Sequence, residues 1–282
     1  AGVQPCVVND LDLDALNNEN SLTMAESTSA QELSCYVLDR KDGQGGSPDN
    51  AMDLQVSYIR PAEGWINAPE DAKEFVLLLG RGVIRRPGLV LKNKDGIYDR
   101  IAIYKSKKEE EPMYEVKKGE MKVEVVDAAM KGDKKYERCN RNMKLLRLAE
   151  DGSTLKMWVS SAMDMTMDGV YHPKSLFKTI TENVGYPTPT TMNSLQDPEL
   201  IQDVMLANWY TSADWQGDAL NYLIENEGVE VIFSHFHAID LQSHMIVRYM
   251  TERDYLKLPV SDFQKFMEDV YIQADYYVGK FI

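Results

Sequence analysis

The apolar residues of this chain change period near residue 164, and that change constrains the fold more than any other feature. Before it, MDLQVSYIRP (52–61), FVLLL (75–79), VIRRPGLVLKN (83–93) and YDRIAIYKSK (98–107) are short alternating or continuous apolar runs. Period two puts successive side chains on opposite faces of an extended chain, so these runs predict strands. The turn NKDG (93–96) joins two of them, and RKDGQGGSPDN (40–50) is a loop by its Gly, Pro and Asp content. LSCYVLD (33–39) predicts a further strand, and RNMKLLRLAEDGSTLKMWVSSAM (141–163) a hairpin turning at EDGS with Trp158 on its second arm. EVKKGEMKVEVVDAAMKGDKK (115–135) reads as strand mixed with short helix. Residues 1–30, polar and weakly patterned, read as an extended surface segment.

After residue 164 the grammar is helical. HPKSLFKTITENVG (172–185) has Pro173 near its start and Gly185 at its end. DPELIQDVMLANWYTSADWQGDALNYLIENEG (197–228) predicts one long helix or two, with Asp197 as N-cap, Pro198 in the first turn and Gly228 at the close. A buried strand, VEVIFSHF (229–236), precedes helices over 241–253 and 261–282. Ser261 is expected to cap the last, with Phe263, Phe266, Met267, Val270 and Tyr271 as its apolar face. Helix and strand in alternation are α/β grammar. The expected organisation is a β-rich insertion or cap region with an extended N-terminal segment over 1–163, and part of an α/β core over 164–282. No strand follows Ile282, so the sheet is expected to be incomplete within the chain.

Charge and cysteine content narrow the function classes. The net charge of −14, from 45 acidic and 31 basic residues, argues against binding a nucleic-acid polymer, which needs a basic surface to neutralise phosphates. No apolar run approaches the roughly 18 residues of a membrane span. Cys6, Cys35 and Cys139 are too few and too far apart for a disulfide framework or a zinc knuckle, and fit reduced thiols in a reducing compartment.

The chain has four histidines, and His235, His237 and His244 fall within SHFHAIDLQSH (234–244) together with Asp240. Catalytic and ligand groups of α/β sheets collect at the carboxyl ends of strands, where this cluster lies. Asp240 and His244 are four apart, so a helical turn puts both on one face, able to share a divalent cation such as zinc. The alternative for that pair is a helix cap beside an exposed histidine. His235 and His237, two apart on an extended chain, point the same way. They can line a metal or substrate site, orienting a ligand or contacting substrate, or be packed, hydrogen-bonded histidines.

A buried strand, then D-L-Q-S-H, then a long helix resembles the alkaline phosphatase superfamily, in particular its type I phosphodiesterase/nucleotide pyrophosphatase branch. In that branch the aspartate and histidine of this motif bind one zinc, and Asp240 and His244 match them. Asp275 and Gly279 match the helix that follows. The chain departs from the pattern at Ile239, where the family has proline, and at Ser243, where it has glycine; no Asp-His-Gly occurs. TMAESTSAQ (23–31) offers hydroxyls, but neither Ser27 nor Thr28 is assigned as nucleophile. The resemblance covers roughly residues 197–282 and implies an alkaline-phosphatase-like mixed sheet with flanking helices. It implies a zinc-dependent phosphohydrolase acting on a small phosphorylated substrate, with two zinc ions in the complete enzyme and at most a partial site in this chain. The chain is therefore expected to be a catalytically incomplete fragment. The rival reading is a non-enzymatic ligand- or protein-binding module with a structural histidine cluster. Elsewhere, Arg85 and Arg86 read as a surface basic pair or an anion grip. Asp214 and Asp218 read as a solvated helix face around a core Trp215, His172-Pro173 as a helix start, and Met163, Met165 and Met167 as packing.

Overall fold

A computed structural model of the chain describes residues 5–8, 22–24, 36–40, 54–56, 59–79, 83–131, 133–160, 162–166, 171–189, 201–243 and 260–282. The protein is mixed α/β, with antiparallel sheets and with helices in its C-terminal part. The strands are β1 (Pro5–Val8), β2 (Leu22–Met24), β3 (Tyr36–Arg40), β4 (Leu54–Val56), β5 (Arg60–Pro61), β6 (Lys73–Leu79) and β7 (Ile84–Lys92). They continue with β8 (Tyr98–Ile103), β9 (Tyr114–Lys117), β10 (Met121–Lys131), β11 (Lys134–Leu148), β12 (Leu155–Val159), β13 (Met163–Asp164) and β14 (Val231–Phe233). The helices are α1 (Ser175–Asn183), α2 (Leu206–Asn226), entered through a π-helical turn at Ile201–Met205, and α3 (Val260–Gly279). The chain divides into two compact units, Leu33–Ala162 and Ala1–Glu32 with Met163–Ile282.

The unit Leu33–Ala162 is built from two antiparallel sheets. One has the order β4-β6-β7-β8-β9 with β5 also on β6; the other runs β10-β11-β12-β3. Period-two alternation sorts the side chains. Phe75, Leu77, Val90, Ile101, Ile103 and Val116 of the first sheet join Met143, Leu145, Met157 and Val159 of the second in one buried core. Leu89, Leu91, Ala102 and Tyr104 face the other way and are covered by Ala62, Trp65 and Ala68. Strands covered on both faces read as near-continuous apolar runs, which is why FVLLL and GLVL lack clean alternation. Gly88 has no side chain for a local reason: a Cβ there would sit 2.6 Å from the Phe75 ring.

The 115–135 segment corrects the expectation of a short helix. It forms β9 and β10, and β10 pairs with β11 from Met121↔Lys144 to Lys131↔Lys134. Ladder pairing with β11, resumed after two register shifts at Lys122/Val125 and Asp127/Ala129, outweighs the helical propensity of Asp-Ala-Ala-Met. The predicted 52–61 strand is two short ones, β4 and β5, both on β6.

In the second unit, β1 is the middle strand of a parallel sheet ordered β14-β1-β2. Cys6 lies opposite Ile232 on one side and Leu22 on the other. Residues 5–8 and 22–24 are thus strands, where the sequence reading had a featureless extended segment. Three or four residues of a parallel strand are too short to register as a periodic pattern. The predicted buried strand at 229–236 is shorter, and β14 exposes Val231 and Phe233. It is the last strand of its sheet, without a second neighbour among the described residues.

Helix α2 feeds two cores. Trp215, Ala219 and Leu223, four apart, pack with Leu176 and Ile180 of α1. Trp209 packs with Met205, Ala238 and with Phe266 and Val270 of α3. Gly228, at φ +67°, takes the left-handed conformation that ends α2. On α3 the expected apolar face is corrected. Phe266, Val270 and Gln273 are buried, Met267 is partly covered, and Tyr271 is 58% exposed. The stripe continues at steps of four and three and leaves Tyr271 on the outside. The side chain of Phe263, and the Asp197 and Pro198 start signals, lie outside the described residues, as does Ser261 as a capping side chain.

Candidate functional site at the end of strand β14

Past Phe233 the chain has no regular secondary structure over 234–236, turns at His237 and enters a helix at 238–243. Leu241 N donates to the His237 carbonyl at 3.0 Å, which fixes the start of that helix. Phe236 points into the helical layer. It stacks on Tyr277 of α3, with centroids 4.2 Å apart and planes 17° apart, and meets Trp209 of α2 edge-on at 6.0 Å. Its two neighbours in sequence, His235 and His237, come together, with ring centroids 3.8 Å apart and planes tilted by 59°. The one aromatic anchors against the helices, and the flanking imidazoles meet each other.

The backbone around the histidines is held by polar contacts to both helices. Gln216 Nε2 reaches the His235 carbonyl at 3.4 Å, and Ser234 Oγ lies 3.2 Å from the Tyr277 hydroxyl. Below them, Gln242 Nε2 donates to Gln273 Oε1 at 2.7 Å and to the Ala238 carbonyl at 3.1 Å, while Gln273 Nε2 donates to the Leu206 carbonyl at 2.8 Å. Both glutamines are fully buried, so this network ties the 238–243 helix to α3 and the start of α2. Sequence reasoning passed over Gln216, Gln242 and Gln273. Their signal was available as polar residues on otherwise apolar helix faces.

Asp240 is exposed, in the first turn after the histidines. His237 is half-buried and His235 exposed. His244 lies outside the described residues, as do Ser27, Thr28 and Met167. Among the described residues no three His, Cys, Asp or Glu side chains gather as a metal-binding group. A closed zinc site takes four protein ligands and a catalytic one three, so the described donors do not by themselves fit a two-zinc centre. Asp275 is exposed on α3, and Gly279 at its end has open space beside it.

The other sequence candidates resolve into structure. Arg86 is an internal group that donates to Asp127, while Arg85 is exposed. Trp215 is buried and donates from Nε1 to the Gly185 carbonyl at 3.0 Å. Asp214 and Asp218 clasp Lys280 at 2.6 and 3.2 Å, and Tyr276 also donates to Asp214. Burial works to lower the Lys280 ammonium. The two carboxylates outweigh it, and the group stands above its ordinary value. This cluster joins α2 to the end of α3. Met163 and Met165 are buried, His172 is exposed, and Cys139 is a buried cysteine outside any disulfide. No described helix is long and apolar enough to cross a membrane.

Comparison with family models, with curated proteins and with solved structures finds no match for this chain.

Proposed function

We propose that the carboxyl end of β14 contributes part of a zinc site in a phosphohydrolase of the alkaline phosphatase type, acting on phosphodiesters, nucleotide pyrophosphates or phosphonates. One observation carries the reading. Asp240 stands exposed in the first helical turn after a strand that pairs in parallel with β1. That is where α/β sheets present their reactive groups. His244, one turn further along the sequence, is the proposed second donor.

Phosphoryl transfer asks a protein mainly for positioning and for charge opposite the oxygens of the transferred group. Bound zinc would supply that positive charge. The contribution of Asp240 would be a solvent-exposed carboxylate, and that of His244 a neutral nitrogen. His235 and His237 would stand beside the metal and contact substrate or orient a ligand. The Gln242–Gln273 network holds the turn that carries Asp240.

Zinc titration of the wild-type chain beside Asp240→Asn and His244→Ala tests the proposal. Weak binding that both substitutions abolish is expected, with no meaningful turnover of a phosphodiester by this chain alone. Zinc binding untouched by either substitution overturns it.

A further inference from the structure

We infer that His235 and His237 form a two-imidazole chelate for a divalent transition-metal ion, whether or not Asp240 and His244 join it. The geometry points there in three steps. First, the rings are already in contact, with centroids 3.8 Å apart. Two nitrogens bound to one tetrahedral zinc at ordinary Zn–N lengths lie about 3.3 Å apart. Second, the pair is held in place. Phe236 between them is stacked on Tyr277 and edge-on to Trp209, and the His235 carbonyl accepts from Gln216. A ligand pair fixed in advance loses little side-chain freedom on binding. Third, the site is reachable, because His235 is exposed and His237 half-buried.

Neutral imidazole nitrogen is a borderline-soft donor that takes zinc, nickel and copper and leaves magnesium and calcium to oxygen ligands. The class of ligand is therefore a late first-row divalent ion, with water completing its coordination. Copper is expected to bind more tightly than nickel or zinc, following the general order of affinity for such donors.

The test is calorimetric titration of the metal-free chain with Zn²⁺, Ni²⁺ and Mg²⁺, in wild type, His235→Gln, His237→Gln, Asp240→Asn and His244→Gln. Thermal melting of each variant checks that it is folded. His235→Gln alters an exposed side chain and is expected to melt with the wild type. The expected result is one Ni²⁺ or Zn²⁺ per chain, no response to Mg²⁺, and affinity lowered about tenfold or more by either of the first two substitutions. If Asp240→Asn and His244→Gln leave that affinity unchanged, the chelate stands and the zinc role proposed for those two residues fails. If all four substitutions weaken binding, the chelate stands as part of one larger centre. If binding survives in both His235→Gln and His237→Gln, or is absent in wild type, the inference is overturned.

Discussion

Arg86 and Asp127 form an internal ion pair within the β-rich unit. Arg86 Nη2 and Nε donate to Asp127 Oδ1 at 2.6 and 3.0 Å, and Nε also reaches Oδ2 at 3.1 Å. The Asp127 side chain is fully buried and that of Arg86 is 15% exposed. Burial, with the Asp127 carboxylate beside it, pushes the Tyr114 phenol well above its ordinary value. A basic residue on an alternating strand looks like a surface group in sequence; this one reaches across from β7 to β10.

Removing one partner leaves the other charge buried and uncompensated. Arg86→Met is expected to destabilise the unit by about 3–5 kcal/mol, while the double substitution Arg86→Met/Asp127→Leu costs less than the single one. Urea denaturation of the three proteins measures both effects. A single-variant loss below about 1 kcal/mol, the value of an exposed pair, shows that the pair carries little.

Glu74 makes stability depend on acid. Burial works to raise its carboxyl. Hydrogen bonds from Lys107, Trp65, Arg60 and the Glu63 amide outweigh that, and its value falls to about 2. The folded value lies below the ordinary 4.5, so the folded state favours the carboxylate. Its contribution is full above the unfolded value and is lost as pH falls from there towards about 2. Glu74→Gln is expected to destabilise by roughly 2 kcal/mol at about pH 7 and by much less near about pH 2. Urea midpoints across that range should converge for wild type and variant. Parallel curves would assign the acid sensitivity to other groups.

The legibility of this fold follows the length of its elements. The runs at 75–79, 83–93 and 98–107 and the EDGS hairpin are long enough for pattern and turn chemistry to agree; each forms a strand, though the third ends at Ile103 and residues 105–108 bend and turn. β1 and β2 escaped because three or four residues carry no period, and because β14, the other neighbour of β1, lies near the far end of the chain. Tyr271 follows the buried Val270 on α3 and is itself exposed, because the buried stripe runs Phe266, Val270, Gln273. At the site, the i, i+2 spacing anticipated that His235 and His237 share a side. It held no information on Phe236 as their anchor, which depends on where α2 and α3 pack. The polar contacts of Gln216, Gln242 and Gln273 are likewise tertiary.

Gly88 is a packing requirement. A Cβ at this position would lie 2.6 and 2.7 Å from two atoms of the Phe75 ring and 3.0 Å from Ile103 Cδ1. Phe75 and Ile103 are both buried in the shared core, so the ring has no empty side to turn towards. Gly88→Ala is expected to cost about 1–3 kcal/mol by overpacking. Phe75→Leu in the same chain should recover part of that loss, a coupling that a double-mutant cycle reads directly. Strict additivity of the two substitutions would place the cost in the strand backbone.

Phe236 links the stability of the helical layer to the histidine pair. Its ring lies between Tyr277 and Trp209, and Tyr277 also makes an edge contact with Phe281 at 5.2 Å. Phe236→Ala removes a partly buried ring from this row and is expected to cost about 3 kcal/mol. Phe236→Leu keeps most of the volume and loses the stacked geometry, at about 1.5 kcal/mol or less. The two substitutions separate packing from positioning. If the aromatic anchor sets the spacing of His235 and His237, the leucine variant melts near the wild type and still binds Ni²⁺ more weakly. Full nickel affinity in a folded Phe236→Leu chain would locate the control of that spacing in the backbone contacts from Gln216 and the 238–243 helix.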